Sequence, residues 1–223
     1  MKFFEKGTFY DLVSLVVPGS LILTVCMFAD CCFCCKILPT GADINWIVEV
    51  SLFGIVLLLG FVCKLIASVI WKGKRNDIEE INTEYRKYKK EKDSLPDDKT
   101  ITELDTPEYF KRYYYVAKNT YNKNIPILES HIAFFQNWIV AAVISFVLIP
   151  ILYCCSFCCC KIMLIEMGLL ISIFIVYIGM DNCIRKVYYL VFSDYEYLTD
   201  YENTKRKESR QEENTETKSD ENK

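Results

Sequence analysis

Trp46 to Trp71 reads WIVEVSLFGIVLLLGFVCKLIASVIW. These 26 residues hold two charges, Glu49 and Lys64. Crossing the hydrocarbon core of a bilayer takes ~20 consecutive mostly apolar residues as helix. Three further runs meet that measure: Tyr10–Ala29, His131–Tyr153 and Ile162–Met180. One such run can be a buried core helix. Four of them, separated by charged or cysteine-rich breaks, predict an all-α membrane protein with four transmembrane helices.

Composition alone would not have said so. The chain has 223 residues, 52% hydrophobic and 25% charged, with a net charge of −3. Those averages also fit a soluble protein, but here the charges sit in blocks between apolar runs. The net charge argues against nucleic acid as a partner. A single histidine argues against His-ligated metal catalysis and most His-based triads. The first run does not read as a cleaved signal: Asp11 and Pro18 interrupt it and no small-x-small site follows.

Lysine and arginine set the expected direction. The segment from Lys72 to Leu128 carries thirteen of them, and the short segments around Lys36 and Lys161 carry one each. Both termini and the long central segment are therefore expected in the cytoplasm, with the two short loops outside. In a bacterium this is the inner membrane.

Four charged residues fall inside or at the edge of spans: Asp11, Glu49, Lys64 and Glu166. Lys64 lies ~10 Å inside the second span at 1.5 Å per residue. One reading is snorkelling with local pairing. The other is a polar pathway, with Lys64 facing Asp11 on one side and the glutamates on the other. Pro18-Gly19 and Pro150 are expected to kink their helices.

The central segment predicts a cytoplasmic helical hairpin. Lys74–Lys92 reads as a helix continuing out of the second span, with Ile78, Ile81, Tyr85 and Tyr88 on one stripe. A second helix is expected from Thr106 as N-cap, with Pro107 at N1. Its stripe is read as Phe110, Tyr113 or Tyr114, Ala117 and Tyr121. Residues 109–123 interleave Lys111, Arg112, Lys118 and Lys123 with five tyrosines. That pattern suits nucleotide stacking, anionic headgroups or ordinary packing. From residue 199 onward Tyr201 is the only apolar residue, and disorder is expected. The expected divisions are 1–71, 72–128, 129–198 and 199–223. The third of these holds the last two spans and a juxtamembrane helix.

Nine of the twelve cysteines cluster in the two short loops, Cys31 to Cys35 and Cys154 to Cys160. Cys31 with Cys34, and Cys155 with Cys158, have the CxxC spacing of thiol–disulfide chemistry. In plan this resembles the quinone-coupled disulfide-forming membrane enzymes, although the long cytoplasmic segment has no counterpart there. Apolar filling, structural ties and a thiolate metal site are the competing readings.

The start FYDLVSLVVPGSLIL, with Phe9, Tyr10, Asp11, Pro18 and Gly19, resembles small bacterial multispan proteins associated with antiphage defence. The stretch ESHIAFFQNW, with Glu129, Ser130, His131, Phe134, Phe135 and Asn137, resembles the same group. Among them are accessory membrane proteins encoded beside type VI-B CRISPR nucleases. The resemblance covers about the first 30 residues and residues 126–150. It implies a non-enzymatic protein that modulates or executes an antiviral response, as an oligomeric pore or a partner-recruiting module. Some defence effectors carry an Arg followed four to six residues later by His. Here Arg112 precedes His131 by nineteen positions, so no nuclease activity is carried over. His131 and Asn137, with Ile81 and Tyr85, are the interface candidates. No catalytic residue, metal or cofactor is assigned. The expected partners are the bilayer, further copies of the chain and a cytosolic protein. The runner-up is a membrane oxidoreductase using Cys31, Cys34, Cys155 and Cys158. A small transporter using Lys64, Glu49 and Glu166 is third.

Overall fold

The computed structural model describes residues 6–33, 46–71, 77–93, 101–119, 124–153 and 159–220. Side-chain surroundings are described for 12–27, 48–71, 77–93, 101–119, 124–151 and 162–209. The described residues are all-helical: α1 (Lys6–Phe33), α2 (Trp46–Ile70), α3 (Ile78–Asp93), α4 (Thr106–Asn119), α5 (Asn124–Tyr153) and α6 (Cys159–Asp220). Three of them, α2, α5 and α6, are long and apolar enough to cross a membrane. The described apolar stretch of α1, Leu12–Met27, is shorter.

The chain divides into two compact units. The first is Met1–Arg75 with Pro126–Ile184, and the second is Asn76–Ile125 with Arg185–Lys223. Helix α6 belongs to the first as far as Ile184 and to the second beyond it.

In the first unit α1 and α2 cross at their glycines. A Cβ on Gly19 would lie 2.0 Å from the Val56 carbonyl oxygen, and one on Gly60 would lie 2.0 Å from that of Leu15. Each glycine thus faces backbone one turn before the other, a close approach that only a missing side chain permits. Helix α5 completes this packing. Ile22 of α1, Cys63 and Ala67 of α2, and Val140 and Ala141 of α5 form one cluster. Ala142 and Ile149 of α5 join Leu169 of α6 in a second. On the far faces Leu58, Phe61, Leu65 and Val69 of α2 and Met163, Leu164, Phe174 and Ile175 of α6 are exposed. A helix apolar on its outer face as well as its inner one suits hydrocarbon surroundings.

In the second unit α3 does not continue α2. Asp77 starts a new helix, its Oδ1 accepting from the backbone N–H groups of Glu79 at 3.1 Å and Glu80 at 3.4 Å. Glu79 and Glu80 in the first turn and Lys90 and Lys92 in the last complement the helix dipole. Residues 72–76 lie outside the described residues. Helix α4 is capped one residue earlier than expected. Asp105 Oδ1 accepts from the Glu108 N–H at 2.7 Å, which puts Thr106 at N1 and Pro107 at N2. A carboxylate at the N-cap is a stronger acceptor for those donors than the threonine hydroxyl.

Of the expected stripe of α3, Ile81, Tyr85 and Tyr88 are buried and Ile78, in the first turn, is half-buried. That of α4 is rotated. Tyr109 and Val116 are buried, Phe110 and Tyr113 are half-buried, and Tyr114 and Ala117 are exposed. Tyr121 lies outside the described residues. The third wall of this core is α6, through Val187, Tyr188, Val191 and Phe192. Phe192 meets the rings of Tyr85, Tyr88 and Tyr109 at centroid distances of 5.0, 6.0 and 6.1 Å. The two helices expected to pair as a hairpin therefore share their core with a third.

Helix α6 also runs on through the charged segment after residue 199, where composition predicts disorder, and its side chains there are exposed as far as Ser209. The helix is already nucleated upstream, so each further residue needs only propagation.

Candidate functional site

Helix α1 contains Pro18, which has no N–H. The carbonyl four residues earlier, that of Ser14, therefore loses its helical donor. Asn137 of α5 supplies one: its Nδ2 donates to Ser14 O at 3.1 Å. Ser14, Pro18 and Asn137 are all fully buried. Gln136, next to Asn137, and Ser145, two turns further along α5, are also buried. Their Nε2 and Oγ atoms have no hydrogen-bond partner among the described residues. Helix α5 thus carries three buried polar side chains, and one of them repairs the proline defect of α1.

Of the four charged span candidates, the three whose side chains are described are not among the buried residues. Glu49 and Lys64 are exposed on α2 and Glu166 is half-buried on α6. The face of α2 that packs inward is Val56, Gly60, Cys63 and Ala67, with Lys64 outside it. Glu49 and Lys64 stand fifteen residues apart on one helix, roughly 22 Å of rise. Asp11 lies in α1, and its side chain is outside the described residues, so the expected pairing with Lys64 is too. His131 is half-buried on α5. Of the redox candidates, Cys34, Cys155 and Cys158 lie outside the described residues, and Cys31 is described only as helical backbone.

The second unit holds two charged centres. Arg112 of α4 points into the core side. Its guanidinium carbon sits 5.5 Å from the Tyr85 ring centroid and 5.0 Å from that of Tyr195, and its Nε donates to Glu108 at 3.0 Å. Burial works against the charge, and the bonds to Glu108 and Tyr85 outweigh it, so the guanidinium stays protonated. Beside it lies an open groove of about 380 Å³ lined by Tyr85, Glu103, Leu104 and Glu108. The carboxylates there are engaged: Glu103 pairs with Arg86 at 3.3 Å, Asp105 caps α4 and Glu108 holds Arg112.

The second centre is Glu196 of α6. Its Oε2 accepts from the Tyr88 hydroxyl at 2.9 Å and from Lys92, and its Oε1 faces Lys89. Burial alone would raise the Glu196 carboxyl. The hydrogen bonds from Lys89, Lys92 and Tyr88 prevail and hold it below the ordinary glutamate value. Burial and the Glu196 carboxylate together push the Tyr88 hydroxyl well up. On α3, Asn82 closes both bonds with the Leu104 backbone, Nδ2 to O at 3.0 Å and N to Oδ1 at 2.8 Å.

No family model, curated protein or solved structure matches the chain. Among the described residues no group of three metal-ligating side chains comes together. The arrangement is one of clamps: charges and polar side chains that tie helices to one another.

Sequence reasoning missed several of these residues. The i,i+4 pair Glu108–Arg112 is legible as a helix pair, but nothing local turns its arginine inward. Pro18 announces a freed carbonyl at Ser14, without naming the donor. Asn82, Glu196 and Gly60 carry no local signal of their partners.

Proposed function

We propose that this chain is a non-enzymatic multi-pass membrane protein that modulates or executes a bacterial antiviral defence response. In this reading α1 is the fourth span. Both termini and the unit built from α3, α4 and the end of α6 lie in the cytoplasm, where that unit recruits a cytosolic protein partner. The observation that carries the recruitment reading is the separate aromatic core of that unit, centred on Phe192 and clamped by Arg112 and Glu196. Such a core makes it a folded module rather than a loop between spans. The glycine crossing of α1 and α2 supports four spans, since α1 shares its packing with α2 and α5. The defence assignment draws on the resemblance at residues 9–19 and 129–137.

The test is a plaque assay with the full chain expressed alone and beside a type VI-B CRISPR nuclease. Changed plating efficiency with the chain, lost on Phe192→Asp, is the expected result. Plating unaffected by the chain in both settings overturns the defence reading. Reporter fusions at Lys92 and Lys223 test direction, and a periplasmic signal from either reverses it.

A further inference from the structure

The basic and aromatic residues of α4 divide between two faces. Arg112 and Tyr109 turn to the core, and the one acid of the helix, Glu108, is bound to Arg112. Lys111, Tyr114 and Lys118 stand together on the other side at spacings of three and four, all exposed, with Tyr114 at 67%. This outward face carries two positive charges, an amphipathic ring and no acid. Elsewhere in the unit the exposed charges are mixed in sign, as with Glu79 and Lys87 on α3 or Glu202 and Lys205 on α6.

Four residues of chain separate the end of α4 from α5, one of the three helices apolar enough to cross a membrane. A basic segment at that place in a chain meets the anionic headgroups of the cytoplasmic leaflet, and tyrosine partitions to the headgroup level. We infer that the Lys111–Tyr114–Lys118 face of α4 is a contact surface for anionic phospholipid headgroups. Its chemistry is two ammonium groups for phosphates, with a phenol between them for the interface. The inference rests on the reading of α5 as a span with α4 on its cytoplasmic side.

The experiment uses the full chain in nanodiscs of phosphatidylcholine, with or without phosphatidylglycerol, and reads lysine acetylation by mass spectrometry. Lys111 and Lys118 are expected to react about fivefold more slowly in the anionic discs. Lys87, exposed on α3, serves as reference and keeps its rate. High salt should remove the difference, and Lys118→Gln should reduce the protection of Lys111 without loss of helical content. Equal rates in the two discs overturn the inference, as does equal slowing at Lys87. Slowing that needs added oligouridine assigns the face to nucleic acid and overturns it too. The spanning reading fails separately, if carbonate strips the chain from membranes before the discs are formed.

Discussion

Asn137 donates to the Ser14 carbonyl, the one that Pro18 leaves without a helical donor. A polar side chain on α5 thereby completes the backbone of α1. Inside an apolar unit the alternative is an unsatisfied carbonyl, so the bond fixes which part of α5 lies against the proline.

Asn137→Leu should lower the unfolding free energy in detergent by about 1–2 kcal/mol. Pro18→Ala restores an N–H for Ser14, so in the Asn137→Leu background it should recover part of that loss. Chemical denaturation of the two single variants and the double variant forms the cycle. Strict additivity would show that the two residues are not linked through Ser14.

Gly60→Ala should force α1 and α2 apart, because the new Cβ would meet the Leu15 backbone at 2.0 Å. Overpacking of this kind costs about 1–3 kcal/mol. Gly54→Ala on the same helix meets nothing within 4 Å and should be neutral or slightly stabilising. Thermal melts of both variants make the comparison. Equal melting temperatures would mean that the crossing is looser than described.

Ile81→Asp places a charge at a site with no exposure, at the centre of the second unit. Its cost should exceed about 3 kcal/mol. Limited proteolysis should then cut within α3 and α4 while α5 stays protected. Wild-type resistance would show that the α3 stripe awaits a partner.

Acid should loosen the clamp at Glu196. Its carboxyl is held below the ordinary value in the folded unit, so it binds fewer protons there than in the unfolded chain. The stabilisation is present above the ordinary glutamate range and is lost as pH falls through and below it. Glu196→Gln should cost about 1 kcal/mol at neutral pH and flatten the acid limb of a stability–pH profile. An unchanged acid limb in that variant would remove Glu196 from the account.

Sequence alone determined where the apolar helices lie, because hydrophobicity is a property of each residue and adds along a run. The apolar run Trp46–Trp71 is α2 to within one residue. The α3 stripe was legible for a similar reason: isoleucines and tyrosines recur at helical spacing among charges, leaving one face to bury. On α4 the same rule fails, since tyrosines occupy several faces and the inward side includes Arg112. Which face turned in was decided when α6 came alongside and offered Tyr195 to the guanidinium. The partners of Gly60, Asn82 and Asn137 were settled in the same way. Each lies at least 22 residues away in the chain and meets its partner only through packing. Local physics writes the helices into the sequence, and close packing between distant segments selects their contacts.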